Sequence, residues 1–225
     1  MAPLIRALAL ALWAGVLLRS SVDGRLDLLL RASFHPLVLI AGLLLLGLAL
    51  LQGLLGLRSR EWGDRAGQRR DLRTALITTG LAALLLALPP VPSFADLAQQ
   101  RPGDDTISDA LSFTLPPSQR SLTDWVRLLR SQPDPELFNG DPVRISGFVL
   151  PVPGEPPQLA RLLVRCCLAD ATPVGLPVRW PAASPPPAAD QWLAIEGQMA
   201  VDGRQLVVVP RQIRRIPRPL RPLEP

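Results

Sequence analysis

Two adjacent cysteines, Cys166 and Cys167, are the residues of this chain best suited to chemistry, and the 225 residues contain no other cysteine. Thiolates bind soft or borderline cations when imidazole or carboxylate ligands complete the set. Asp170 lies three residues after Cys167, and the one histidine of the chain is His35. Cys166, Cys167, Asp170 and His35 are therefore the candidate metal ligands, with a divalent metal as the candidate cofactor.

The spacing of the two cysteines restricts how they bind one ion. Neighbouring side chains on a strand point to opposite faces, so both sulfurs reach one cation only where a bulge or turn interrupts the strand. The turn-forming sequence LADATPVG after Cys167 supplies such an interruption. Three alternatives stay open, namely a structural role in packing, a strained bond between the two sulfurs, and pairing with a second chain.

The sequence predicts no enzymatic activity and no catalytic residue. A cysteine nucleophile needs a base, and the one imidazole, at His35, lies at the start of a hydrophobic run far from the cysteines in the chain. No acid–base pair or nucleophile–base set is visible in the remaining sequence. No small-molecule substrate can be identified either.

Hydrophobic runs upstream of the cysteines predict a membrane region over residues 1–92. Residues 36–57 contain no charge over 22 positions, and a spanning helix needs roughly 20. Residues 74–92 form a second uncharged run that ends in prolines. Residues 2–18 are shorter and carry Arg6; a spanning helix is favoured there over a secretory signal because no small-x-small cleavage site follows. Two to three transmembrane helices are expected.

Charge predicts the orientation of this region. Residues 58–73 hold six Arg and three acidic residues, which places the loop in the cytoplasm by the positive-inside rule. The residues after the last hydrophobic run are then extracytoplasmic, on a multi-pass protein of the cell inner membrane. Residues 93–225 hold fourteen Arg and fourteen Asp or Glu, and this neutrality argues against a nucleic-acid partner.

The remainder of the chain predicts a tethered β domain. Residues 93–120 are proline-rich and aperiodic, as in a tether, and a helix capped by Ser121 and Asp124 follows. Alternating apolar residues then predict five strands. Five short strands in under 90 residues indicate an OB-like barrel over 121–217, and 218–225 form a basic, proline-rich tail. The predicted strands cover 143–149, 161–167, 174–180, 192–201 and 204–210.

Several short motifs are similar to those of a known family. The chain resembles the YcgQ-like family of uncharacterised bacterial membrane proteins, which are regarded as subunits of a two-component permease. The resemblance covers the whole layout, with helices first and the cysteine-pair domain last. It is carried by FHP at 34–36, ISGFV at 145–149, CCLADA at 166–171 with Pro173 following, WLAIEG at 192–197 and the proline-rich end after Ile216.

The resemblance implies a polytopic YcgR-like permease as the partner. The expected function is that of an accessory membrane subunit of this permease, with a domain that binds a cation or a partner through the Cys-Cys/Asp motif. The alternative is a membrane-anchored structural or assembly protein whose barrel binds another protein and takes no part in transport.

Overall fold

The computed structural model of the chain describes residues 2–58, 65–88, 92–101, 115–182 and 187–224. The chain divides into two compact units, Met1–Val91 and Pro92–Pro225. The first is helical, and the second is built around a β-sheet. Residues 89–91 of the span predicted over 74–92 and residues 102–114 of the tether predicted over 93–120 lie outside the described part.

The helical unit packs its first helix against two later ones. Gly42 allows a close approach there, since a Cβ atom at this position would lie 3.0 Å from Cδ2 of Leu18. A turn of 3-10 helix, Ala32–Phe34, leads into the longest helix. The helices are α1 (Ala2–Val22), α2 (Leu26–Leu29), α3 (His35–Arg58) and α4 (Arg65–Ala87).

Two stretches of the helical unit are long and apolar enough to cross a membrane, Ile5–Val22 and Ala32–Leu55. The second agrees with the run predicted over 36–57. Within the run predicted over 74–92, helix α4 ends at Ala87, and its apolar part covers Leu76–Ala87. Pro89 disfavours helical geometry for the residue before it, which accounts for the early end.

The second unit opens with two short helices, α5 (Phe94–Gln99) and α6 (Leu122–Ser131). The predicted cap of α6 is confirmed. The side chain of Ser121 accepts the Asp124 N–H, and Asp124 Oδ2 accepts the Ser121 N–H at 2.9 Å. This reciprocal pair satisfies two N–H groups that the helix leaves without partners.

Five long strands and one short one form a single sheet. Along the sheet the order is β3-β2-β1-β4-β5 with antiparallel neighbours, and β6 pairs in parallel with β2. Gly154 and Gly203 occupy the hairpin turns with φ of 78° and 63°, where a residue without Cβ is favoured. The strands are β1 (Pro142–Val152), β2 (Glu155–Leu163), β3 (Thr172–Pro177), β4 (Trp192–Asp202), β5 (Gln205–Arg215) and β6 (Leu223–Glu224).

The sheet is not closed, so the predicted barrel is not shown. Beyond the end of β3, a single parallel bridge joins Val178 to Val208 of β5, and the Arg179 N–H donates to the Val208 carbonyl at 2.9 Å. Pro177 and Pro210 lack the N–H group that a longer ladder would require. The two edges therefore meet at one point instead of along a seam.

The sheet separates two hydrophobic clusters. Neighbouring residues of β1 point to opposite faces, so Val149 packs in the cluster with Trp125 of α6, whereas Phe148 packs in the other. In the second cluster the rings of Phe94, Phe148 and Trp192 are 5.8 to 6.1 Å apart. We call these three residues the aromatic triangle.

The folded unit extends beyond the boundaries predicted at 121–217. Phe94 lies in the segment predicted as a tether, yet it is buried, and Asp190 accepts hydrogen bonds from the Ser93 hydroxyl and the Ala95 N–H. In the predicted tail, Pro222 is buried and β6 pairs with β2. Phe148 and Trp192 form an apolar face of the sheet, and these flanking segments bury that face from water.

Candidate functional site

The cysteine pair lies in the turn between β2 and β3. The strand predicted over 161–167 is wrong at its end, because β2 stops at Leu163 and a 3-10 turn covers Leu168–Asp170. Both thiols are free and partly exposed. The turn thus provides the interruption that two adjacent cysteines need in order to face one point.

Asp170 organises this turn through the main chain. Its Oδ1 accepts the Arg165 N–H at 2.9 Å, and its Oδ2 accepts the N–H groups of Cys166 at 2.8 Å and Cys167 at 3.4 Å. In return, the Asp170 N–H donates to the Cys167 carbonyl at 3.0 Å. Three successive N–H groups therefore point at one carboxylate instead of at a neighbouring strand.

The side chains converge on the same carboxylate. The Cys166 thiol donates to Asp170 Oδ2 at 2.8 Å, and the two sulfurs lie 3.5 Å apart. One ligand atom from each of Cys166, Cys167 and Asp170 falls within 4.8 Å of the others. We call these three residues the thiol–carboxylate cluster.

Electrostatics keeps the proton on Cys166 in the absence of a cation. The hydrogen bond to Asp170, reinforced by the one to Cys167, raises the pKa of the Cys166 thiol from 9.0 to about 12. Burial raises the pKa of Asp170, but hydrogen bonds from the Cys166 thiol and from three main-chain N–H groups outweigh it, so that this pKa is lowered overall. The metal-free cluster is a thiol donating to a carboxylate.

Arg101 supports the turn and was missed by sequence reasoning. Its Nη1 donates to the carbonyls of Leu168 and Ala171 at 2.9 and 2.8 Å. The residue lies in the segment predicted as a tether, 65 positions before Cys166, and no local pattern connects the two. Its guanidinium ties both ends of the 3-10 turn to the chain that follows α5.

His35, the fourth predicted ligand, belongs to the helical unit. There its Nε2 lies 3.3 Å from the Leu30 carbonyl and 4.0 Å from Asp27 Oδ1. Among the described residues, the ligand atoms that lie close together belong to the other three predicted ligands, Cys166, Cys167 and Asp170. His35 as a metal ligand stays a prediction.

The donor set fits a thiophilic cation. Two sulfurs and one carboxylate oxygen suit Zn²⁺ and softer ions, which take four ligands, and partial exposure leaves room for a further ligand from water or a partner. The Cys166 proton lies between a sulfur and an oxygen that would both bind the ion. A cation at this site would therefore have to displace that proton.

One comparison with known proteins gives a match. Residues 118–214 match the DUF1980 C-terminal domain, an uncharacterised family. The matched range runs from before α6 to the penultimate residue of β5 and includes the thiol–carboxylate cluster. No curated protein and no solved structure matches the chain.

Proposed function

We propose that this chain, whose residues 118–214 are similar to the DUF1980 C-terminal domain, is a membrane-anchored accessory subunit of a two-component permease. Its extracytoplasmic domain binds a thiophilic divalent cation through Cys166, Cys167 and Asp170. The observation that carries the proposal is the convergence of two sulfurs and a carboxylate within 4.8 Å in one partly exposed turn.

The protonated thiol gives the proposed site its selectivity. A thiolate must form before the sulfur can bind a cation, and the pKa of Cys166 near 12 opposes this at neutral pH. Ions that bind thiolates strongly, such as Zn²⁺, overcome this cost, whereas Ca²⁺ and Mg²⁺ prefer oxygen ligands. Binding should release protons and strengthen as the pH rises.

Exposed apolar side chains support the membrane anchor. A leucine or isoleucine left in water instead of buried costs about 2 kcal/mol, and α3 exposes ten of them, so lipid is the better solvent. The arginine-rich loop 58–73 supports the orientation with the domain outside the inner membrane. The exposed residues are Leu37, Leu39, Ile40, Leu43, Leu44, Leu48, Leu50, Leu51, Leu54 and Leu55.

The finer expectation of an OB-like barrel belongs to the same proposal. The strand order and the Val178–Val208 bridge, which brings β5 to the continuation of β3, support it. Such a domain serves here as a platform that holds the turn between β2 and β3. Nucleic acid is not proposed as its ligand, because residues 93–225 are neutral overall.

Metal titration tests the cation site directly. Purified full-length protein in detergent is titrated with Zn²⁺ against a chromophoric chelator, alongside a Cys166→Ser/Cys167→Ser variant and Asp202→Asn as the control. Asp202 is an exposed carboxylate of β4 whose partner is Arg179, so the control should bind as the unchanged protein does. Equal binding by the double serine variant would sink the cation proposal.

Purification from native membranes tests the subunit role. The tagged full-length chain is extracted in mild detergent, and the proteins recovered with it are identified by mass spectrometry. Stoichiometric recovery of a polytopic permease supports the proposal. Recovery of the chain alone, or only with copies of itself, contradicts the subunit role and favours the anchored structural protein.

A further inference from the structure

We propose that residues 211–221 form a docking surface for anionic lipid headgroups, with the side chain of Leu220 entering the apolar boundary of the bilayer. We call this segment the basic loop; it comprises the last residues of β5 and the chain between β5 and β6. The inference is separate from the cation site and rests on the membrane anchoring in the proposed function. It is carried by three features of the β unit.

The first feature is that the part of the basic loop that follows β5 is held at both ends. On one side, the Ile216 N–H donates to the Trp192 carbonyl at 3.0 Å, and the Ile216 side chain packs against the aromatic triangle's cluster. On the other side, Pro222 is buried and Leu223 pairs with β2. The residues between are therefore presented at a defined place instead of trailing as a loose terminus.

The second feature is a highly exposed apolar residue in this loop. Leu220 is 89% exposed, the largest exposed fraction among the exposed large hydrophobic residues of the described chain. A single exposed leucine is ordinary on a protein surface. Here, however, it stands between Arg218 and the exposed Arg221, and apolar residues flanked by arginine are typical of segments that bind at a lipid interface.

The third feature is a local excess of positive charge in a domain that is neutral overall. Between Asp202 and Glu224 the sequence has no acidic residue and six arginines. The Glu196 carboxylate is shared between Arg214 at 3.7 Å and Arg144 at 3.4 Å, so one negative charge faces two guanidinium groups. The arginines of this stretch are Arg204, Arg211, Arg214, Arg215, Arg218 and Arg221.

Lipid is favoured over an acidic protein because the loop is tied to the start of its unit. Arg218 Nη1 donates to the Pro92 carbonyl at 3.4 Å, and its guanidinium lies over the Phe94 ring at 5.5 Å. In the sequence, Pro92 comes five residues after the end of α4, a helix of the proposed membrane anchor. Guanidinium groups also match the geometry of lipid phosphates, which they bind through paired hydrogen bonds.

The test places the full-length chain in nanodiscs of stated composition. In a Cys166→Ser/Cys167→Ser background, Leu220→Cys carries an environment-sensitive dye, and discs of phosphatidylcholine alone are compared with discs that also contain phosphatidylglycerol. We expect a blue shift of the dye with phosphatidylglycerol that weakens at high salt. Arg214→Gln/Arg215→Gln should lower the ratio of docked to undocked protein by about fivefold per arginine, and lysine at both positions should largely restore it.

A matched position controls for lipid contact of the domain in general. Leu137 is another exposed leucine of the same unit, in the 3-10 turn Pro135–Phe138. The emission of the dye on Leu137→Cys should be the same in the two kinds of disc. A dye at position 220 that stays in water in both discs overturns the proposal. So does an equal shift in both discs, or a shift that appears only when a second protein is added.

The outcomes separate this inference from the proposed function. A chain that fails to enter nanodiscs overturns both membrane anchoring and lipid docking. An embedded chain whose dye ignores lipid charge overturns lipid docking alone. The labelled chain lacks both thiols of the candidate cation site, so the result is independent of cation binding.

Discussion

Asp170 controls the chemistry of its neighbour, and Asp170→Asn should make Cys166 reactive. The carboxylate accepts the thiol hydrogen bond at 2.8 Å and repels the thiolate, whereas an amide carries no charge. We expect the pKa of Cys166 to fall and its alkylation rate at pH 8 to rise at least tenfold, about one unit of pKa. Peptide mapping after timed alkylation distinguishes this from reaction at Cys167.

A matched substitution makes that result interpretable. Asp202→Asn removes an exposed carboxylate of the same unit that is paired with Arg179, and it should leave the alkylation of Cys166 unchanged. If Asp170→Asn also left the rate unchanged, the hydrogen bond between Cys166 and Asp170 would not be what holds the proton.

The same pair predicts how the stability of the metal-free turn depends on pH. The pKa of Asp170 is lowered from 3.8 in the folded chain, so its stabilisation is present above that pH and is lost as the pH falls below it. The pKa of Cys166 is raised from 9.0 to about 12, so its stabilisation is present below pH 9 and is lost as the pH rises towards 12. Hydrogen exchange at residues 165–167 should be slowest relative to the intrinsic rate between these limits.

Asp170→Asn provides the control for this window. In that variant the acid limb should disappear, because the titrating carboxylate is gone. A protection profile that keeps its acid limb in this variant would show that a group other than Asp170 sets that limb.

At the scale of the strands, Gly147 is required by the close approach of β1 and β2. A Cβ atom at this position would collide with the Ala160 carbonyl oxygen and lie 3.1 Å from Cγ of Leu159. Gly147→Ala should therefore lower the free energy of unfolding by about 3 kcal/mol, as overpacking of a core does. Thermal unfolding of the full-length protein in detergent measures this.

Gly175→Ala on β3 is the matched control. There the added Cβ would lie 2.7 Å from Oε1 of Gln158, the far end of a flexible side chain that can move aside. The loss should stay below about 1 kcal/mol. Equal losses in the two variants would argue that glycine flexibility, and not the carbonyl contact, decides the effect.

The strands that alternate cleanly are the ones that sequence predicts well. β1 and β4 cover the predicted runs at 143–149 and 192–201, since one residue in two faces a cluster along much of each strand. The strand predicted over 161–167 begins later than β2 does, because Pro156 and Pro157 argue against a strand. These prolines lie beside the register shift between β1 and β2, where fewer ladder hydrogen bonds are needed.

The sequence predicts the part of the candidate site that is local in the chain. Cys166, Cys167 and Asp170 are close in sequence, and a turn was enough to suggest their proximity. Arg101 and its hydrogen bonds to Leu168 and Ala171 depend on how α5 packs. Such contacts between distant segments leave no periodic signal in a single sequence.

At the scale of the whole β unit, an ion pair between Glu224 of β6 and Arg161 of β2 holds β6 against the sheet. The Arg161 guanidinium is buried, which lowers its pKa although Glu224 opposes this, and its Nε lies 3.4 Å from Glu224 Oε1. Glu224→Gln leaves that charge without its carboxylate and should destabilise the unit by about 3 kcal/mol. Thermal unfolding of the full-length protein tests this.

Glu155→Gln on β2 controls for the loss of a negative charge. Glu155 is exposed, so the change should stay within about 0.5 kcal/mol. The Ser146 oxygens and the Pro222 carbonyl also accept hydrogen bonds from Arg161. If Glu224→Gln changed the free energy of unfolding as little as Glu155→Gln, these acceptors would be enough to stabilise the buried guanidinium.

The orientation of the whole chain has a direct genetic test. The arginine-rich loop predicts that residues 58–73 face the cytoplasm and that the β unit lies outside. A reporter enzyme that is active only outside the cytoplasm should therefore work when fused after residue 225 and fail when inserted between residues 59 and 64. The opposite pattern would place the thiol–carboxylate cluster in the reducing cytoplasm.

The ion pair between β2 and β6 also sets an order of events during synthesis. Arg161 emerges 63 residues before Glu224, and Ile216 and Leu223, which pack against the aromatic triangle's cluster, emerge late as well. A nascent β unit therefore carries a guanidinium without its carboxylate partner and an uncovered aromatic surface until translation is nearly complete. An uncovered aromatic surface favours proteolysis and aggregation, so we expect slow release of residues 216–224 to lower the abundance of the chain without any change in the finished fold.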